Sequence, residues 1–360
     1  DSWSLDEVSA AVPADAPLLS VVVPARDEAR NIGRLVRSVL ASTYPSLELI
    51  VVDDHSVDGT ARVAREAAGD DGRLRVIPNP PLPGGWFGKQ WACATGAREA
   101  RGDLLLFTDA DTEHGPELHA RAVNAIRARD ADLLTVAGTQ EMRSFWERMV
   151  QPHPFLLIAA RFGGTEQVNR SPHARDKIAN GQFILVRRAA YEALDGHALV
   201  RDTVAEDLAL AQRWFAAGRR TVLVAGERHL RTRMYASLHE LVRGWRKNVF
   251  AGGREAMRGG GPGRLLFPFL LPLPPLLTLL PLVVLAASLV TSLPHGVVLW
   301  AALAAGAQLV VWAAAYRALG HSPLNALGYP LGAAVFLYIV VTATLRGRRV
   351  AWKGREYRHA

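Results

Sequence analysis

The sequence predicts an α/β fold: a mostly parallel sheet flanked by helices, followed by an amphipathic interfacial helix and C-terminal transmembrane helices. Three observations carry this. Between residues 19 and 136, short apolar runs alternate with stretches of helical period, the pattern of a parallel sheet covered on both faces. Leu104-Leu105-Leu106-Phe107 runs directly into Thr108-Asp109-Ala110-Asp111-Thr112, which puts two carboxylates at the edge where an open α/β sheet binds its ligand. After residue 265 the composition turns strongly apolar.

Taken in order, residues 1–17 are acidic and rich in Ala and Pro, and read as a poorly ordered N-terminal segment. A catalytic domain is expected over 18–236. Its strands are predicted at 19–23, 47–52, 74–77, 104–107 and 133–136, with helices at 31–40, 58–68, 90–100 and 116–127 between them. Apolar and aromatic residues among prolines at 141–162 suggest a segment packed near a bilayer. Residues 163–176 are polar and contain glycine, a candidate mobile loop. A strand at 182–186, a helix at 203–217 and a strand at 220–224 follow.

Residues 237–264 form an amphipathic helix and linker. Leu238, Leu241, Val242, Trp245 and Val249 share one stripe, with Arg243, Arg246 and Lys247 interleaved. Cations and tryptophan suit a membrane interface, and an ordinary surface helix packed on the domain fits the periodicity equally well. The transmembrane region, 265–345, holds apolar stretches at 265–293, 297–315 and 329–345, set against the about 20 residues that span a bilayer. The first is broken by Pro268, Pro272, Pro274, Pro275 and Pro281, so its early part could lie in the interface or re-enter. The basic tail, 346–360, belongs in the cytoplasm by the positive-inside rule, as does a catalytic half with no export signal. Both ends on one side require an even number of crossings, against a count of three stretches. The chain begins at Asp1, which leaves an upstream anchor open.

The 360 residues carry a formal net charge of +8 and a mean hydropathy of +0.08. The charge fits a solubilising surface and a positive-inside bias; no basic-aromatic stripe or recognition motif points to nucleic acid. Cys93 is the only cysteine, which excludes an internal disulfide framework and a multi-cysteine zinc site.

Asp109 and Asp111, two residues apart on an extended strand end, would point to the same side and repel each other unless a cation lies between them. Hard oxygen ligands suit Mg²⁺ or Mn²⁺, with positions left for substrate phosphates. The first strand ends in Pro24-Ala25-Arg26-Asp27-Glu28, and the second in Asp53-Asp54-His55-Ser56-Val57-Asp58-Gly59-Thr60. Asp53 and Asp54 share the ligand edge and can accept hydrogen bonds from a base or a ribose, whereas Asp58 and Thr60 read as helix caps. Gly84-Gly85-Trp86-Phe87-Gly88-Lys89 precedes a helix, where Lys89 and the helix start could meet a diphosphate; it is not a P-loop, because Gln90 stands where Ser or Thr is required. Glu206 and Asp207 open a later helix, as simple dipole partners or, beside a metal-nucleotide site, as catalytic acids. Asp207 is then the candidate base, with Glu206 in support.

Together these residues resemble a family 2 glycosyltransferase with the A-type nucleotide-sugar fold, over about 20 to 248. The stretch 51–60 is similar to that family's nucleoside-binding turn, Thr108-Asp109-Ala110-Asp111 to its DxD, and Ala205-Glu206-Asp207 to its late acidic motif. The resemblance implies an inverting, metal-dependent transfer. Asp54 with Asp53 would hold the nucleoside, Asp109 the nucleotide sugar, Asp111 (with Asp109) the metal, and Asp207 would take the acceptor proton. Pro24, Arg26, Glu28 and Lys89 join the donor set. Gly85-Trp86-Phe87-Gly88-Lys89, Asn180-Gly181-Gln182-Phe183, Arg233-Met234-Tyr235 and Gly244-Trp245-Arg246-Lys247-Asn248 are similar to a membrane-bound subgroup that glycosylates carotenoid acids, hopanoids or other isoprenoid lipids. The tail Ala351-Trp352-Lys353-Gly354-Arg355-Glu356-Tyr357 resembles that of ceramide glucosyltransferases.

Gln182 is expected beside the acceptor, and one of Arg243, Trp245 and Arg246 beside acceptor and diphosphate. Relatives often carry Gln/Arg-x-x-Arg-Trp, whereas Arg243-Gly244-Trp245-Arg246-Lys247 sets the tryptophan before the second arginine, which leaves the assignment among the three open. The expectation is a multi-pass enzyme of the cell membrane that moves a hexose from a nucleotide diphosphate sugar to a membrane lipid. Transfer to a polyprenyl phosphate is the alternative enzyme, and a nucleotide-binding membrane scaffold the non-catalytic one.

Overall fold

A computed structural model describes residues 3–256, 260–346, 349–352 and 355–358. The link around Gly259 and the side chains of the basic tail lie outside the described set. The chain divides into two compact units. One holds Asp1–Glu141, Phe162–Met234 and Arg349–Ala360; the other holds Met142–Arg161 and Tyr235–Arg348. The expected catalytic domain is therefore interrupted by the segment 142–161, and the tail groups with the catalytic sheet.

The first unit is built on seven strands: β1 (Leu19–Ala25), β2 (Leu47–Asp53), β3 (Leu74–Pro78), β4 (Leu104–Phe107), β6 (Leu133–Ala137), β8 (Ile184–Arg187) and β9 (Thr221–Ala225). Their order is β3-β2-β1-β4-β8-β6-β9. Every neighbouring pair is parallel except β8, which runs antiparallel to both β4 and β6. Near-continuous apolar strands such as Val21-Val22-Val23 and Leu104-Leu105-Leu106 are buried because α1 (Ile32–Leu40), α2 (Thr60–Ala68), α3 (Gly88–Glu99) and α4 (Leu118–Ala128) cover the sheet. Gly96 lets α3 sit directly on the sheet, since a Cβ there would lie 2.3 Å from Val22 Cγ1. A small second sheet, β5 (Thr112–His114), β10 (Leu230–Thr232) and β7 (Thr139–Gln140), braces the chain just beyond β4.

Two expectations are corrected. Residues 3–17 are not a loose tail. Leu5 is buried in the core, Ala225 N–H donates to the Trp3 carbonyl at 2.7 Å, and Asn124 Nδ2 donates to the Ser9 and Ala11 carbonyls at 2.8 Å each. An acidic, Pro-rich composition concealed this because the ordering partners lie more than 100 positions away. Nor is 163–176 one irregular loop: α7 (Thr165–Arg170) forms, and Asn169 pairs with the Leu223 backbone through both Nδ2 (2.7 Å) and Oδ1 (2.8 Å).

In the second unit, α5 (Phe145–Val150) starts with a capping box between Ser144 and Glu147, and α6 (Pro152–Phe162) follows. On α10 (Leu238–Ala256), Leu241 and Trp245 are buried, and Trp245 meets Phe155 and Tyr235 at ring distances of 5.4 and 6.3 Å. The apolar stripe of α10 is thus used in packing within its own unit. Three helical stretches, Leu265–Ser288, His295–Ala318 and Pro323–Leu345, are long and apolar enough to cross a membrane. Leu265, Phe269, Leu303 and Val310 on them are 66–75% exposed. Apolar surface of that extent is costly in water and suited to lipid, so these helices are fit to enter a membrane.

Candidate active site

The carboxyl ends of β1, β2 and β4 deliver the acidic turns to one edge of the sheet, and the backbone there binds turn to turn. Asp27 N–H donates to Ser56 Oγ (2.9 Å), Val57 N–H to Asp27 Oδ1 (2.9 Å), and Glu28 N–H to Thr60 Oγ1 (2.8 Å). Asp58 accepts from the Thr60 and Ala29 N–H groups at 3.0 and 2.9 Å, so it ties the start of α2 to the first turn.

Asp54 is buried. Its Oδ1 accepts from Asn79 Nδ2 at 2.9 Å, and Arg26 Nη1 donates to its carbonyl at 2.8 Å and lies 3.7 Å from Oδ2. Asp53 is more open, with Oδ1 accepting the Ser56 N–H at 3.2 Å. Pro24 lines the same recess as Asp109. Glu28 accepts from Asn31 Nδ2 at 2.9 Å.

The pair Asp109 and Asp111 does not sit on extended backbone, as its spacing suggested. Residues 109–112 form a turn in which the Asp109 carbonyl accepts both the Thr112 N–H (3.3 Å) and the Thr112 hydroxyl (2.8 Å). A threonine side chain that competes for its own turn overrides the strand pattern. Asp111 Oδ1 is buried with no hydrogen-bond partner. Burial, with repulsion from Asp109 and Glu28, pushes its carboxyl up to about 8.

Lys89, at the start of α3, bridges Asp109 Oδ1 (2.8 Å) and Glu206 Oε1 (2.7 Å). It is not the solvated lysine of a flexible turn. Burial opposes its charge, but Asp109, Glu206 and Asp207 together raise its pKa well above the ordinary lysine value. Glu206 and Asp207 open α9 (Glu206–Ala216). Asp207 Oδ2 accepts the Gly181 N–H at 3.0 Å and Oδ1 the Leu208 N–H at 2.8 Å. Burial and Glu206 raise Asp207 to about 6, against the lowering pull of Lys89. A Cβ at Gly181 would stand 3.0 Å from Asp207 Oδ2 and 3.2 Å from Lys89 Nζ, so only glycine leaves both groups undisturbed. The recess they line, with Pro24, Phe107, Thr108 and Ile184, continues to buried Cys93, whose thiol burial pushes far up and renders unreactive.

The chain that carries this constellation is similar to known proteins. The glycosyl transferase family 2 model matches residues 20–195. Residues 20–195 are a family 2 glycosyltransferase domain. The 4,4'-diaponeurosporenoate glycosyltransferase of Staphylococcus haemolyticus is 26% identical to this chain over 246 residues, 65% of this chain and 61% of that protein. The Staphylococcus aureus (strain USA300) protein of the same name is 26% identical over 239 residues, with the same coverage. The chain thus spans 61% of the length of these curated relatives. A mannosyltransferase from Pyrobaculum calidifontis, solved with GDP-Man and Mn²⁺, shares the fold with a TM-score of 0.60 at 20% identity, covering 96% of this chain and 90% of that one.

Within the first unit the structure brings together Pro24, Lys89, Asp109, Glu206 and Asp207. Gln182 is placed differently from expectation. Its Oε1 accepts from Gln140 Nε2 (2.7 Å), Thr232 Oγ1 (3.0 Å) and Asn180 Nδ2 (3.2 Å), so it cross-links the sheet edge. Arg243, Trp245 and Arg246 belong to the second unit, where Arg246 lies 5.6 Å from the Tyr338 ring centroid. Asn79, Gln140 and Thr232 went unnoticed in the sequence, because isolated polar residues carry no spacing signal.

Proposed function

We propose that this glycosyltransferase moves a hexose, with inversion, from a nucleotide diphosphate sugar to a lipid at the membrane. The observation that carries the reading is the Lys89 bridge, which joins Asp109 of the DxD turn to Glu206 beside Asp207 in one recess. Asp53 and Asp54 would face the nucleoside, helped by Arg26 and Glu28.

Mg²⁺ or Mn²⁺ fits the donor set. Among the described residues no three His, Cys, Asp or Glu side chains converge, and a cation held by one or two carboxylates with substrate phosphates and water is the usual magnesium arrangement. The unpartnered Oδ1 of Asp111 and the neighbouring Asp109 supply those carboxylates. Bound there, the cation would neutralise the diphosphate as it leaves. Lys89 carries a second positive charge to the same place. Asp207, held by two backbone N–H groups, takes the proton of the attacking hydroxyl, and attack from the face opposite the leaving diphosphate inverts the anomeric carbon. The family resemblance assigns Arg243, Trp245 and Arg246 to acceptor or diphosphate.

The curated relatives' names specify a diaponeurosporenoate, and the three apolar helices favour a lipid acceptor over a soluble one. The basic residues after 345 favour a cytoplasmic tail by the positive-inside rule, with the catalytic domain on the same side. Membranes carrying the protein, given Mn²⁺, a panel of nucleotide sugars and a lipid extract, should yield a hexose-shifted lipid by mass spectrometry. Nucleotide binding with no donor consumed under any condition would sink the transferase reading in favour of a scaffold.

A further inference from the structure

The first unit contains a buried chain of polar side chains that the transfer step does not use. Ser42 Oγ lies 2.8 Å from His119 Nδ1, and His119 Nε2 lies 2.9 Å from His114 Nδ1. His114 Nε2 is 3.1 Å from Thr108 Oγ1 and 3.2 Å from Thr112 Oγ1. The two threonine hydroxyls donate onward, Thr108 to the Gln182 carbonyl at 2.7 Å and Thr112 to the Asp109 carbonyl at 2.8 Å.

Proton counting assigns a direction to this chain. Carbonyl oxygens only accept, so both threonine protons are committed to them, and His114 Nε2 must be the donor to the threonine oxygens. Nδ1 of a neutral His114 then accepts from His119 Nε2–H, and His119 Nδ1 accepts from the Ser42 hydroxyl. Ser42 Oγ in turn accepts the Tyr44 N–H at 3.1 Å. The one Nε2 proton of His114 is shared between the two threonine oxygens, which lie 3.1 Å apart, and every ring nitrogen of the two histidines has a partner. Burial keeps both rings neutral, lowering His119 to about 3 and, with His119 beside it, His114 well below the ordinary range.

The two carbonyls at its end belong to two segments of the site, at the ends of the paired strands β4 and β8. One is that of Asp109 itself; the other is that of Gln182, next to Gly181, which holds Asp207. We propose that His114, oriented by His119, is a positioning residue that locks the Asp109–Asp111 turn to the Gly181–Gln182 segment through Thr108 and Thr112. Its consequence for the metal rests on the donor-site reading above. Groups that orient metal-bound carboxylates from behind typically carry 10–100-fold in metal affinity.

The test compares His114→Asn with His114→Gln in the full chain. Glutamine is long enough to bring an amide N–H to the place of Nε2; asparagine reaches only the place of Nδ1. Two readouts are taken: hydrogen exchange of the peptide covering 104–114 without ligands, and Mn²⁺ affinity by electron paramagnetic resonance in the presence of UDP or GDP. His114→Asn should speed exchange and weaken Mn²⁺ at least about tenfold, and His114→Gln should restore most of both. Two variants both like the parent, or both equally impaired, overturn the proposal, because ring volume or nothing would then be what matters. If the parent binds no Mn²⁺ with either nucleotide while exchange still separates Gln from Asn, the lock stands and the donor-site reading falls.

Discussion

Asp207→Asn separates base catalysis from simple positioning. Both Asp207 oxygens accept backbone N–H groups, from Gly181 and Leu208. The amide keeps one of these bonds and forfeits the other, a stability cost of about 0.5–1.5 kcal/mol. Folding should survive. Loss of the base should lower kcat by about 10²–10⁴-fold for a hydroxyl acceptor, which is about 2.7–5.5 kcal/mol of barrier. With Asp207 raised to about 6, the parent's kcat/KM should climb about tenfold per pH unit below 6 and level off above it, where the carboxylate is ionised. The variant should lack that limb. An acceptor that is already anionic, a carboxylate or a phosphate, needs no proton removed, and the loss should then shrink to less than about tenfold. The assay is initial-rate transfer of labelled hexose to lipid, from pH 5 to 8, in parent and variant membranes. A hydroxyl acceptor turned over by Asp207→Asn within tenfold of the parent, with the acid limb intact, would refute the assignment of the base.

Asp111, pushed up to about 8, makes the cation compete with a proton, so Mn²⁺ affinity should strengthen as pH rises from 6 to 8, by up to about tenfold per unit; titration calorimetry reads this directly. The same shift has a stability sign. A carboxyl raised above its unfolded value stabilises fully at low pH and loses that contribution as pH rises through the folded value. Metal-free protein should therefore melt lower at pH 9 than at pH 6, and Asp111→Asn should flatten that slope in thermal scans. Gly181→Ala puts a methyl 3.0 Å from Asp207 Oδ2, and should lower kcat about tenfold or more with little change in melting temperature. Gly96→Ala forces a methyl to 2.3 Å from Val22 Cγ1 and should instead cost about 1–3 kcal/mol of stability, measured by denaturant unfolding, without altering the pH profile of the remaining activity.

Much of the site was legible because its chemistry sits at strand ends. Asp53, Asp54, Asp109 and Asp111 follow apolar runs that period and composition identify, and Glu206-Asp207 opens a helix whose pattern is clear. What escaped was each residue's partner. Gln182 lay in a recognisable stretch, yet its side chain turns to Gln140 and Thr232, 42 and 50 positions away. The sequence places Lys89 near a diphosphate but not beside its partners Asp109 and Glu206, which lie on two other elements. His114 and His119 had no motif at all; only the fold pairs them.

The sequence alone determined the α/β alternation, the acidic turns at the ligand edge and the apolar stretches able to enter a membrane. These are local properties: strand and helix periodicity, and hydrophobicity summed over a window, are set by residues within a few positions of one another. The tertiary structure alone decided that residues 3–17 pack on the domain, that 109–112 is a turn, that Lys89 joins Asp109 to Glu206, and that two buried histidines stand behind the turn. Each depends on groups tens to hundreds of positions apart meeting where water is excluded. There an unpaired donor or charge is too costly to leave, so the fold, rather than the local pattern, chooses the partner.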